Sequence, residues 1–249
     1  MSNKLSLINI NDSLSNLKDN IKNLKEQEAK PINPTEYILS IDEARTNMIN
    51  WLSFLCNKLN FSDQTLFRSI SLFDQYFSKI SPEEVLNLSQ QYLNLITIAC
   101  LSLSTKLEEI NCNYISFLNE KVLNSPNSKT FKNKDLTQME LKILKTLNFK
   151  TLYSTPLDFL EIYLEIFRKI LLEGDSLMDS QSFLNIKALS INLMKNNINN
   201  IMYLTNTSSN FANICLMKAL EQISMMNSFK NKQLERSILT LNCQFTNMI

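Results

Sequence analysis

One glycine in 249 residues, Gly174, is the tightest constraint on this chain. Tight β-hairpins, dinucleotide-binding turns and phosphate-cradling loops all need several positions without a Cβ. A chain so poor in glycine, with five prolines, is expected to be all-α. Histidine is absent as well. That removes histidine triads, histidine acid–base catalysis and histidine-containing metal sites. Carboxylate, lysine or thiol chemistry stays open, although neighbouring acids such as Glu108-Glu109 and Glu83-Glu84 diverge on a helix. No enzyme activity, metal or cofactor is expected.

With 44% hydrophobic residues the chain can bury one large core or two small ones. Lys and Arg total 25 against 24 Asp and Glu, a formal charge of +1. Such a balance gives little counterion-release drive, so nucleic-acid binding is not expected. The five cysteines, Cys56, Cys100, Cys112, Cys215 and Cys243, form no C-x-x-C and read as free thiols in a reducing compartment. No signal peptide is visible, and apolar runs such as Ile98 to Leu101 are too short to span a membrane.

Helical periodicity organises the rest. Ile10, Leu14, Leu17, Ile21 and Leu24 form one stripe, with Asp12 or Ser13 as a cap and Pro31 and Pro34 as stops. That helix either packs on its own domain or forms a short coiled-coil seam. From Asp42 a helix carries Met48, Leu52, Leu55 and Leu59. A second, capped by Asp63, carries Leu66, Ile70, Phe73 and Phe77. A third opens at Ser81-Pro82-Glu83-Glu84, a capping box with proline at the first helical position. It runs on through LNLITIACLSLSTKLEEI, apolar on nearly every face from Leu93 to Leu103, as a central helix should be.

Helices at about 113–123 and 135–147 complete a set of five. Beyond Thr155-Pro156, four more are expected at 157–172, 183–194, 211–225 and 233–245. The segment FANICLMKALEQI faintly echoes LITIACLSLSTKLEE, with Cys215 opposite Cys100. The expected organisation is an N-terminal helical extension over 1–41 and two tandem five-helix folds over 42–153 and 154–249, each around a buried helix.

Several charges need explaining. Arg45 lies seven residues before Leu52, and Asp74 lies between Ile70 and Phe77, so both fall on core-facing stripes. A core-facing charge is costly unless paired, and these two are expected to pair. Lys106 ends the most apolar helix, where the helix dipole alone would favour a cation. Glu140, beside a core-facing Leu141-Leu144 pair, reads either as an exposed partner of Lys142 or Lys145 or as a binding residue.

RTNMINWL, SLFDQYFSK, LNLITIACLSLSTKLEEI, QMELKILKTLNF and TPLDFL, in this order and spacing, resemble the cyclin box of the cyclins over about 42–165. The string S-T-K-L-E-E-I is similar to that family's A-S-K-x-E-E-I, and N-W-L with F-D-x-Y-F-S resembles its A and B types. The resemblance implies that Arg45 and Asp74 are the structural Arg–Asp pair and Leu95 a core leucine of the central helix. It implies that Lys106 and Glu140 contact a cyclin-dependent serine/threonine kinase beside its C helix. The implied role is a non-catalytic, activating subunit in cell-cycle control, located in the nucleus, the cytoplasm or both. A transcription-associated cyclin, or a cyclin-fold transcription factor without a kinase, are the alternatives.

One departure stands out. Where animal cell-cycle members carry an M-R-A-I-L substrate-docking patch, this chain reads Ala44, Arg45, Thr46, Asn47, Met48, with Trp51 retained. Docking of R-x-L substrates is therefore expected to be weak. Residues 1–44 contain no arginine and so no R-x-x-L degradation string. The strings at Arg168 and Arg236 fall in expected helices.

Overall fold

The structure, a computed structural model, describes residues 2–32, 34–110, 132–173 and 180–226. Among these there is no β-strand; the ordered elements are helices joined by short loops. The helices are α1 (Ser2–Gln27), α2 (Pro34–Leu59), α3 (Asp63–Phe77), α4 (Pro82–Leu86), α5 (Gln90–Glu108) and α6 (Asn133–Thr146). They continue with α7 (Pro156–Glu173), α8 (Ser180–Asn197), α9 (Ile201–Thr205) and α10 (Ser208–Met226). None of the described helices is long and apolar enough to cross a membrane. The helices expected at 113–123 and 233–245, Cys112, Cys243 and Gly174 lie outside the described residues.

The chain forms two compact units, residues 31–155 and residues 1–30 with 156–249. In the first, α5 is the axis. Leu93 and every residue from Leu95 to Thr105 are buried, and α2, α3 and α6 pack on it, while α4 packs on α2. In the second, α10 takes the central place, buried at Phe211, Ala212, Cys215, Leu216, Ala219 and Leu220, with α7, α8 and α9 around it. Cys100 and Cys215 thus occupy the middle of the two central helices, both fully or nearly fully buried. Burial pushes both thiols up, Cys215 to about 11 against a smaller lowering by Lys218, so neither offers a thiolate at neutral pH.

Several elements differ from the sequence expectation. Helix α1 begins at Ser2, well before Asp12 or Ser13, and packs on α7 with Ile21 buried. Glu28, just past its end, accepts the Ser209 backbone N–H at 2.5 Å and its hydroxyl at 3.2 Å, at the start of α10. Residues 1–30 are therefore part of the second unit and not a separate extension ending at 41. Helix α2 begins at Pro34, eight residues before Asp42, because proline at a first helical position lacks only an N–H that has no helical partner anyway. The cap of α3 is Ser62, whose hydroxyl accepts the Thr65 N–H; Asp63 is the first helical residue.

The expected third helix is two. Ser81 caps α4 by accepting the Glu84 N–H at 3.2 Å, and α4 stops after five residues. Ser89 then caps α5 by accepting the Tyr92 N–H at 3.3 Å. A second N-cap serine after Asn87 restarts the helix in a new direction, which periodicity alone does not reveal.

Candidate functional site

The site is built where α5 ends against α6. The buried stripe of α6 is Leu136, Met139, Glu140, Ile143, with Leu147 beyond it, which places the glutamate among apolar neighbours. Leu141 is exposed, contrary to the expected inward pair with Leu144. Glu140 is likewise not an exposed partner of Lys142 or Lys145. Its carboxylate Oε1 accepts from Lys106 Nζ at 2.6 Å, with the glutamate side chain 10% and the lysine side chain 38% exposed.

This asymmetry has a chemical consequence. The buried carboxylate anchors the ammonium, and the ammonium uses one of three donors on it. The lysine, more than a third exposed, is the member of the pair that solvent reaches. Next to Lys106 and Glu140 in the sequence, Leu107 and Leu141 are exposed apolar side chains, and Ile110, Phe149 and Leu152 of the same unit are exposed as well.

Phe149 also has an unusual backbone. Helix α6 ends with Asn148 and Phe149 both left-handed, at φ 51° and 59°. The turn closes through the Phe149 N–H to the Leu144 carbonyl at 2.7 Å. Asparagine tolerates that region, but an aromatic residue there costs about 1–2 kcal/mol. Its ring is 64% exposed, so burial does not offset the cost.

The two acids after Lys106 are tied to α3. Glu108 Oε1 accepts from Arg68 Nε at 2.5 Å, and Arg68 also donates to the Tyr153 carbonyl at 2.5 Å. Glu109 Oε1 accepts from the Ser62 N–H (2.8 Å), the Ser62 hydroxyl (2.9 Å) and the Thr65 hydroxyl (2.5 Å). The end of α5 is thus fastened to α6 by Lys106 and to α3 by both glutamates. Sequence reasoning missed Arg68 and these roles; the only signal was a cation between core-facing Leu66 and Ile70.

Glu109 carries a pH signature. Burial raises its pKa, but the hydrogen bonds from Thr65 and Ser62 outweigh it and leave the carboxyl below its ordinary value of 4.5. A depressed folded value means stability fully present above the unfolded pKa and lost as pH falls through the folded one. Denaturant titrations should show this unit weakening below about pH 4.5, its ordinary value, and Glu109→Gln should flatten that acid limb. An unchanged acid limb in the variant would contradict the assignment.

Arg45 and Asp74 meet as a buried, two-pronged pair, Nε to Oδ1 at 2.8 Å and Nη2 to Oδ2 at 2.9 Å, joining α2 to α3. Leu95 is buried in α5 and borders a groove of about 440 Å³ with Tyr92, Asp135, Met139 and Lys142. Lys142 donates to the Tyr92 hydroxyl at 3.1 Å and lies 3.5 Å from Glu84, linking α6 to α5 and α4. Met48 is buried in the core and Trp51 is half-buried. Among the described residues no cluster of acids and cysteines is arranged to hold a metal ion.

Comparison with known proteins agrees with this architecture. The family model described as "Cyclin, N-terminal domain" matches residues 19–152, more than half of the chain. This chain belongs to the cyclin family. It is 29% identical over 136 residues to Cyclin-B2-1 of Arabidopsis thaliana, covering 53% of this chain and 29% of that protein. It is 30% identical over 129 residues to G2/mitotic-specific cyclin-2 of Saccharomyces cerevisiae, covering 49% of this chain and 22% of that protein. These matches span less than a third of the length of either relative. The X-ray structure of a viral cyclin from herpesvirus saimiri superposes with a TM-score of 0.57 at 19% identity. That superposition covers 84% of this chain and 82% of the other, so the likeness of fold extends through both halves.

Proposed function

We propose that this chain is an activating regulatory subunit of a cyclin-dependent serine/threonine kinase in cell-cycle control, acting in the nucleus or cytoplasm. The observation that carries this reading is the preformed Lys106–Glu140 pair at 2.6 Å, with exposed Leu107 and Leu141 beside its two members in the sequence. Lys106 and Glu140 are the two positions where the cyclin-box motifs of this chain match the kinase-contacting lysine and glutamate. A lysine held by a buried carboxylate is oriented before binding, so little side-chain entropy remains to be lost. Leu107 and Leu141 supply apolar area to be buried, and the charged pair supplies register.

The mechanism is a population shift. In protein kinases the C-helix glutamate must meet the strand lysine that positions the ATP phosphates. A rigid surface that binds the C-helix-in conformer more tightly makes that conformer dominant. Rigidity here comes from α5, buried along its length and fastened at its end to both α3 and α6. Substrates are recruited mainly by the kinase, because Met48 is committed to the core and Ala44 and Trp51 are only half-buried.

The direct test is mixing the chain with purified cyclin-dependent kinases and measuring complex formation and phosphorylation of a peptide. A complex with raised activity is expected for at least one kinase. Binding of DNA in preference to every kinase, weakening steeply with salt, would favour the transcription-factor alternative.

Phe149 offers a separate check. Phe149→Gly should raise the stability of the free chain by roughly 0.5–1 kcal/mol, the relieved strain less the added freedom of the unfolded glycine. The same variant should weaken the kinase complex. If it destabilises the free chain, the ring is needed for folding and not kept for an interface.

A further inference from the structure

The chain contains three hydroxyl residues followed by proline: Ser81-Pro82, Ser125-Pro126 and Thr155-Pro156. This dipeptide is the minimal target of proline-directed kinases, and the fold treats the sites differently. Thr155 is 0% exposed and donates its hydroxyl to Gln64 at 3.3 Å, so a kinase cannot reach it in the folded chain. Ser125 lies outside the described residues. Ser81 is exposed, with extended backbone at φ −70° and ψ 149°.

We infer that Ser81 is a site of phosphorylation by a proline-directed serine/threonine kinase. Three further observations support access. The side chains of Ser78, Lys79, Glu83, Glu84, Asn87 and Ser89 around it are exposed, and of those described between 78 and 89 only Val85 is buried. Helix α4 has five residues, far below the length that is stable without tertiary support, and within the first unit it packs chiefly on α2. Local opening of this turn therefore exposes few apolar groups and leaves α3 and α5 intact. Among the described residues, the serine hydroxyl is engaged through its oxygen, which accepts the Glu84 N–H at 3.2 Å.

In the reaction the Ser81 oxygen attacks the γ-phosphorus of ATP. The bond from that phosphorus to the bridging oxygen breaks, ADP leaves, and the hydroxyl proton passes to the base of the kinase. The product places close to two negative charges beside Glu83 and Glu84. Lys142, already 3.5 Å from Glu84, is the described cation that links this turn to α5 and α6. Phosphorylation is therefore positioned to shift Lys142 away from its hydrogen bond with Tyr92.

The test uses the full chain carrying Ser125→Ala, a proline-directed kinase of a class other than the proposed partner, and Mg-ATP. Choosing that kinase keeps the outcome separate from the reading of the chain as a kinase subunit. Intact mass and peptide mapping should show one phosphate at Ser81, none at Thr155, and none after Ser81→Ala. Synthetic peptides covering 75–88 and 149–162 should both be modified, because neither is folded. Modification of the 75–88 peptide without Ser81 in the folded chain would overturn the inference, as would modification of Thr155 before Ser81.

Discussion

Changing Lys106 and Glu140 together to alanine is expected to abolish the kinase complex while leaving the fold intact. Truncating one member of a desolvated charge pair at an interface costs about 2–5 kcal/mol, roughly 30-fold or more in Kd. Loss of both removes the charged centre of the proposed interface. The stability pattern is a distinctive part of this prediction. Lys106→Ala alone leaves Glu140, 8% exposed, without the ammonium, and should destabilise the free chain by about 1 kcal/mol. The double variant leaves no orphaned charge and should be closer to wild type than that single variant. Helical circular dichroism, urea titration and kinase binding on the three proteins would test both parts. A double variant that binds and activates normally would mean that the kinase sits elsewhere.

The second large effect concerns Arg45 and Asp74. Asp74→Ala removes the two-pronged carboxylate partner of a guanidinium that is 1% exposed. Removing one partner of such a pair costs about 3–5 kcal/mol, against a total stability of roughly 5–15 kcal/mol for a typical domain. Asp74→Ala should therefore yield a marginally folded or insoluble chain. Replacing both, Arg45→Met with Asp74→Leu, should recover much of the loss, because two apolar side chains need no partner. Urea unfolding of the double variant distinguishes a lost ion pair from a packing defect. A loss below about 1 kcal/mol in Asp74→Ala would contradict the account of a costly buried charge.

These two pairs show what sequence reasoning could reach. Arg45 and Asp74 were legible because each interrupts an apolar stripe at a fixed helical interval, and a stripe has one core-facing side. The all-helical class followed from one glycine and five prolines, and α5 from its apolar run. Glu140 was harder. Its neighbours Met139 and Ile143 set the buried stripe, but Leu141 competed for the same face, and periodicity could not rank two solutions one residue apart.

The ties of Glu108 and Glu109 to α3 were not legible at all. They depend on the end of α5 meeting α3 across 40 residues or more, and no local pattern encodes that distance. The same limit hid the contact of Glu28 with Ser209, 181 residues apart, and with it the grouping of α1 with the second half. The strained left-handed Phe149 has no sequence signature either, since glycine or asparagine would be the expected residue there.

We propose that this chain binds a cyclin-dependent kinase and holds its C helix in the active position. Amide hydrogen exchange across the kinase C helix, with and without the chain, measures that directly. Slowed exchange in the C helix is expected on adding wild-type chain, and no slowing with the Lys106→Ala, Glu140→Ala double variant. A complex that forms without protecting the C helix, or equal protection by the double variant, would contradict it.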